Sequence, residues 1–252
     1  MAGLMEGKAG LVTGAASGIG RACAVRFGQE GASVVVSDLE SSRAGGEETV
    51  RMIVDSGGTA EFFPCDVSSS TDCEALVARV VETYGKLDFA HNNAGIGVHA
   101  PLAETTDEDF DRVIAVNLRG TFLGMKFQIR QMLLGGGGSI VNTSSNAGLR
   151  GVHMLGAYAA SKHGIVGLTK NGAIEYANDG IRVNAVCPAA IMTPLMWDLP
   201  EDRQREILSP QAMDRFGEPA EVAAAVAWLC SDDASFVTGV AMPVDAGSVA
   251  GW

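Results

Sequence analysis

Two short stretches carry side chains whose types and spacing suit chemistry. "YAASK", at 158–162, sets the phenol of Tyr158 and the amine of Lys162 at i and i+4 among alanines. On a helix the two share one face, with Cβ atoms about 5–6 Å apart. Taken alone, the pair also suits a plain surface helix carrying one of only three tyrosines in the chain. The second stretch is "TGAASGIG", with Gly14, Gly18 and Gly20 in G-x-x-x-G-x-G spacing. Glycine permits a tight turn and lets the backbone approach a pyrophosphate, whose charge meets the free N–H groups and dipole of a following helix. Ser17 and Ile19 add backbone N–H groups, and the Ser17 hydroxyl offers a further phosphate contact.

Both stretches need elements to position them. "KAGLVTG" reads as a strand ending at Gly14 and "GIGRACAVRFGQEG" as a helix stopped by Gly31, so the glycines fall in the first strand-to-helix turn. "SVVVSD" is a second strand, apolar on both faces as in a parallel sheet covered on two sides. Asp38 ends it, where a carboxylate receives the adenosine ribose hydroxyls of a dinucleotide. A 2′-phosphate ~4 Å from Asp38 would meet repulsion of about 4 kcal/mol per charge pair at an effective dielectric near 20. Ala15, Ala16 and Leu39 offer no compensating cation, and Arg43 reads as part of a solvated helix face. NAD is therefore expected over NADP.

Strand and helix patterns alternate to the end of the chain. "AEFFPCD", "LDFAHNNAG", "SIVNTSS", "IRVNAVCP" and "GVAMPVDAG" read as strands, separated by helical patterns that include "GAYAASKHGIVGLTKNGAIEYAND". The glycines at 135–138 read as a flexible loop. Strict alternation predicts an α/β fold, a doubly wound parallel sheet of about seven strands with helices on both faces. One domain over 1–252 is expected, with no linker and no solenoid repeat.

Composition bounds the rest. A net charge of −12 lacks the basic footprint of a nucleic-acid or anionic-membrane surface. Apolar residues make up 47% of 252, enough for a sizeable core, yet no apolar run reaches the length of a membrane span. The five cysteines are scattered with no C-x-x-C, and the amino terminus lacks a secretory pattern. A cytoplasmic location is expected. His91, His99, His153 and His163 have no metal-ligand spacing, so no metal is expected.

With "TGAASGIG", "NNAG" at 92–95, Asn117, Ser145 and "YAASK" in order, the chain resembles the short-chain dehydrogenase/reductase family along nearly its whole length. The resemblance implies a Rossmann-like fold and an NAD-dependent oxidoreductase interconverting a secondary alcohol and a ketone. Tyr158 matches the general acid/base. Free tyrosine titrates near 10, and Lys162 with the oxidised nicotinamide would favour the phenolate by roughly 2–3 units. Lys162 would also hold the nicotinamide ribose. Ser145 matches the serine that hydrogen-bonds the substrate oxygen, with Ser144 the alternative. Asn117 matches the asparagine linking the lysine to solvent through a water; a helix-bending role is its other reading.

The same resemblance assigns Asn93 to the adenosine-side turn, with Asn92 tying strands, and sets Asp66 and Val67 beside the adenine. Ile191 and Thr193 match positions that hold the carboxamide. Pro188-Ala189-Ala190 stands where the family usually has Pro-Gly. Residues 190–212 match the substrate-covering loop, so Met192, Met196 and Trp197, with His153, are substrate-side candidates. The apolar character of that segment points to a small hydrophobic alcohol or ketone, and the family to a homotetramer. Two other readings use the same fold: a non-catalytic NAD sensor or scaffold, and an NAD-using dehydratase or epimerase. The intact serine, tyrosine, lysine and asparagine set favours the oxidoreductase.

Overall fold

The computed structural model describes residues 3–197 and 200–251, apart from the side chains of residues 195 and 197. Within them seven strands form one sheet: β1 (Ala9–Thr13), β2 (Ser33–Asp38), β3 (Thr59–Pro64), β4 (Phe89–Asn92), β5 (Gly138–Thr143), β6 (Ile181–Pro188) and β7 (Ala241–Val244). Their order is β3-β2-β1-β4-β5-β6-β7, and every pairing is parallel. Parallel neighbours need long crossovers, which helices supply. These are α1 (Gly18–Gln29), α2 (Arg43–Asp55), α3 (Ser70–Tyr84), α4 (Asp107–Val113), α5 (Gly120–Gly135), α6 (Gly156–Tyr176), α7 (Pro194–Trp197), α8 (Glu201–Leu208) and α9 (Pro219–Cys230). The chain winds outward from β1 to β3 and then the other way from β4 to β7. A crevice therefore opens at the carboxyl ends of β1 and β4, the usual ligand position of an open α/β sheet.

Alternation along the strands sorts the core into two layers. Val12, Val34 and Val36 pack with Phe27 of α1, Ile53 of α2, and Val222, Val226 and Leu229 of α9. Leu11 and Val35 face the other way, toward Leu76, Val77 and Val80 of α3 and Leu123, Phe127 and Met132 of α5. All five residues of β1 are buried, as a strand covered on both faces requires.

The sharp turn out of β1 depends on close backbone approach. A Cβ at Gly20 would lie 2.1 Å from the carbonyl oxygen of Gly14 and 2.6 Å from Nδ2 of Asn93. Gly20→Ala is expected to destabilise the protein by roughly 2 kcal/mol through overpacking. A thermal melt checks this, and an unchanged midpoint would mean the turn can open to admit the methyl.

Two segments differ from their sequence reading. The glycines at 135–138 are not a flexible loop: α5 runs through Gly135, Gly136 caps it at φ +87°, and Gly138 already belongs to β5. Left-handed backbone at glycine ends a helix without a steric penalty, and so compresses the connection. Residues 190–212, read as a loop, contain α7 and α8.

Candidate active site

The glycine turn opens toward the crevice. Gly14 and Gly18 have φ of +64° and +55°. Ser17 is the extended N-cap of α1, but its side chain makes no capping bond and no acidic residue stands in the first turn. The first N–H groups of α1 are thus left for an anion. Arg21 fastens the turn from behind, donating to the carbonyls of Ala16 and Gly45 and to Thr49. Thr193 closes it from the front, since a Cβ on Gly18 would lie 3.3 Å from Thr193 Cγ2. Ser17, Gly18, Met192 and Pro194 line one cleft. Asp38 stands at the end of β2 with Oδ2 accepting the N–H of Ala16 at 3.0 Å and Oδ1 that of Leu39 at 2.8 Å. These features fit the pyrophosphate and adenosine ribose of a dinucleotide.

A second group gathers at the carboxyl ends of β4 and β5 and on α6. Lys162, only 2% exposed, donates to the carbonyl of Thr143 at 2.7 Å, and its Nζ lies 5.4 Å from the centroid of the Tyr158 ring. Ser145, just past β5, stands beside the Tyr158 phenol, and its hydroxyl eases the phenol's ionisation. Ser144 donates instead to the Lys162 carbonyl at 2.9 Å, which leaves Ser145 as the serine facing the phenol. The turn after β4 passes close by. A Cβ at Gly95 would stand 3.4 Å from Lys162 Nζ and 3.3 Å from Asn117 Oδ1, and one at Gly97 3.7 Å from the Tyr158 ring.

Asn117 lies fully buried in a π-helical segment, Ile114–Arg119, between α4 and α5. Its Nδ2 donates to the Ile96 carbonyl at 2.9 Å and to Ser161 Oγ at 3.0 Å, while Oδ1 accepts the Ile96 N–H at 2.8 Å. The side chain is therefore committed to holding the turn after β4 against α6. Asn117 lies within this widened stretch of helix.

Burial dominates the electrostatics. It pushes the Lys162 amine down to about 8 and the Tyr158 phenol up, the Ser145 hydroxyl pulling the phenol partly back. Burial thus sets the direction of the phenol's shift. Cys187 of β6, raised to about 11 chiefly by burial, faces Lys162.

Other sequence candidates distribute as follows. Asn93 ties strands: its Nδ2 donates to the carbonyls of Thr13 and Gly14, and its Oδ1 accepts from Thr143. Asn92 does the same through Gln128 and Asn142. The Asp66 carboxylate is occupied by the N–H and hydroxyl of Ser68, while Val67 packs against the position of Gly120. Ile191 is buried and bridges to Gly217, Ile19 lies in the first turn of α1, and His153 is exposed between β5 and α6. Met192 and Met196 sit on the 190–212 segment, half-buried. The side chain of Trp197 lies outside the described residues. The Ala189 N–H bonds the Val244 carbonyl at 3.3 Å, tying the Pro-Ala-Ala turn to β7. Sequence reasoning missed Thr143 and Ile96, whose backbone groups hold Lys162 and Asn117. Backbone acceptors leave no residue-type signal.

Comparison with known proteins shows the family and the fold. A family model described as enoyl-(acyl carrier protein) reductase matches residues 14–248. Levodione reductase of Leifsonia aquatica is 40% identical over 96% of this chain and 94% of its own. Cyclohexanol dehydrogenase of an Acinetobacter strain is 44% identical over 97% and 96%. A crystal structure of levodione reductase superposes with a TM-score of 0.93 at 39% identity, covering 98% of this chain and 100% of that one. The chain belongs to the short-chain dehydrogenase/reductase family, whose members use NAD(P). Among the described residues no helix is long and apolar enough to cross a membrane.

Proposed function

We propose that this protein is an NAD-dependent oxidoreductase that interconverts a secondary alcohol and a ketone on a small, largely apolar substrate. The observation that carries the reading is the convergence of Ser145, Tyr158 and Lys162 beside a glycine turn suited to a dinucleotide. When bound, NAD supplies the acceptor and donor of the hydride. The chain's own residues do the rest. Tyr158 takes the hydroxyl proton during oxidation and returns it during reduction, and Ser145 hydrogen-bonds the substrate oxygen as charge develops there. Lys162, fixed on the Thr143 carbonyl, keeps an amine beside the phenol and would hold the nicotinamide ribose. Asn117 holds the neighbouring turn and is assigned to the link between Lys162 and solvent.

Similarity to enzymes named for levodione and cyclohexanol supports a six-membered cyclic alcohol or ketone as the substrate class. The 190–212 segment, carrying Met192 and Met196, is assigned to cover it, Ile191 and Thr193 to the carboxamide, and Asp66, Val67 and the Asn93 backbone to the adenosine side. Exposed Leu134, Ile174 and Phe236 are consistent with a homotetramer, and the protein is assigned to the cytoplasm. The test is NADH formation at 340 nm from NAD⁺ with a panel of cyclic, aryl and linear secondary alcohols. Absence of any NADH, with product formed from a diol or sugar nucleotide, would move the protein to the dehydratase or epimerase reading.

Preference for NAD follows from Asp38. Its carboxylate is pinned by two backbone amides, so it cannot swing away from a 2′-phosphate. The repulsion of about 4 kcal/mol at ~4 Å corresponds to discrimination on the order of a thousandfold. Wild type should favour NAD⁺ strongly in kcat/KM, and Asp38→Ser should close most of that gap. Equal use of both coenzymes by wild type would remove Asp38 from this role.

A further inference from the structure

Ser145 has one hydroxyl proton and more partners than it can serve. Its oxygen accepts the Ala147 N–H at 3.1 Å, while Asn146 Oδ1 at 3.1 Å and the Pro188 carbonyl at 3.4 Å both stand ready to accept its proton. The Tyr158 phenol stands near enough for the same hydroxyl to ease its ionisation. Asn146 is itself tethered: Nδ2 donates to Ser248 Oγ at 3.2 Å, and Ser248 is fully buried. The turn that carries Ser248 is closed by Asp245, whose carboxylate accepts the N–H groups of Gly247 and Val249 at 3.0 and 2.9 Å. The Ala246 carbonyl in turn accepts the Ala212 N–H at 2.8 Å, at the end of the covering segment.

We propose that Asn146, held by Ser248, is a positioning residue that sets the direction of the Ser145 hydroxyl proton and so governs when Tyr158 ionises. The proposal rests on the oxidoreductase reading for its kinetic consequence, though not for its geometry. A neutral amide carbonyl is a modest acceptor, and a phenolate or an alkoxide-like substrate oxygen outcompetes it. Asn146 thus holds the proton away from the phenol at rest and releases it when negative charge appears. The C-terminal turn and the covering segment share this connection, so the position of the segment bears on the serine through Ser248. Lys162 on its own helix is the ionisable group beside the phenol, with Cys187 of β6 facing Lys162 and Asp245 facing Cys187 from the C-terminal turn.

The experiment titrates Tyr158 without coenzyme, as the ultraviolet difference between each protein and its Tyr158→Phe counterpart, which cancels Tyr84 and Tyr176. Asn146→Ala should lower the phenol's midpoint, because Ser145 is freed to donate to the phenolate. Asn146→Asp should raise it, because a carboxylate holds the serine proton and adds a like charge. Ser248→Ala should shift it in the same direction as Asn146→Ala, by less, and guards against a variant at 146 that does not fold. With a cyclic alcohol, Asn146→Asp should lower kcat about tenfold, less than loss of a direct oxyanion donor, with the KM for NAD⁺ unchanged. Shifts of one sign in both Asn146 variants, or a lower melting temperature with no shift, would overturn the proposal. Wild type that makes no NADH while the two shifts oppose would remove the functional reading alone. Normal wild-type turnover with shifts of one sign would remove this inference alone.

Discussion

Tyr158→Phe is expected to bind NADH as tightly as wild type and to lose turnover by about 10³-fold, the range that general acid–base catalysis supplies. The substitution removes one hydroxyl and keeps the ring that packs beside the turn at 95–97. Neither the glycine turn nor Asp38 touches the change, so fluorescence titration with NADH should not move. The pH dependence has a defined sign. Burial raises the phenol, so without added positive charge the protein holds it protonated at neutral pH. Oxidation, which needs the phenolate, should accelerate as pH rises; reduction, which needs the phenol, should slow. A Tyr158→Phe enzyme with wild-type kcat, or an oxidation rate that falls across neutral to mildly alkaline pH, would remove the tyrosine from the proposed chemistry.

Lys162→Met is expected to move activity and stability in opposite directions. Turnover should fall by roughly 10²-fold or more with loss of the amine beside the phenol. Folding should become stronger at neutral pH. The amine, ordinarily near 10.5, is lowered to about 8 in the folded protein because burial penalises its charge, a cost of about 3 kcal/mol below that pH. The unfolded chain binds the proton more readily between about 8 and 10.5, so wild-type stability should rise across that window. Above the usual tyrosine range, Tyr158 opposes the trend, since its raised phenol makes the folded state hold its proton longer. Met has no such dependence and nearly fills the same volume. Chemical denaturation at pH 7 and pH 10 should show the variant's advantage shrinking as pH rises. A variant less stable than wild type at pH 7 would show that the Thr143 hydrogen bond outweighs the desolvation.

Much of this was legible in the sequence, and the reasons are local. The valines of β2 face two cores because a strand alternates, and "TGAASGIG" reads as a turn because only glycine tolerates its left-handed backbone and close approach. The i, i+4 spacing was enough to put Tyr158 and Lys162 on one face of α6. Local patterning misjudged the glycines at 135–138, where tight packing of Gly138 against Met132 turns apparent flexibility into a compact connection.

The sequence by itself determined the order of the elements, the strand-to-helix turn suited to phosphate, and the presence of a phenol and an amine one helical turn apart. Only the tertiary structure decided which serine stands beside that phenol, that the amine rests on the backbone of Thr143, and that burial pushes the phenol up. It also tied Asn146 to a serine far along the chain. The physical reason is the same in each case. Helical and strand periodicity is written in neighbouring residues, whereas desolvation and hydrogen bonds to backbone carbonyls depend on atoms that only folding brings together.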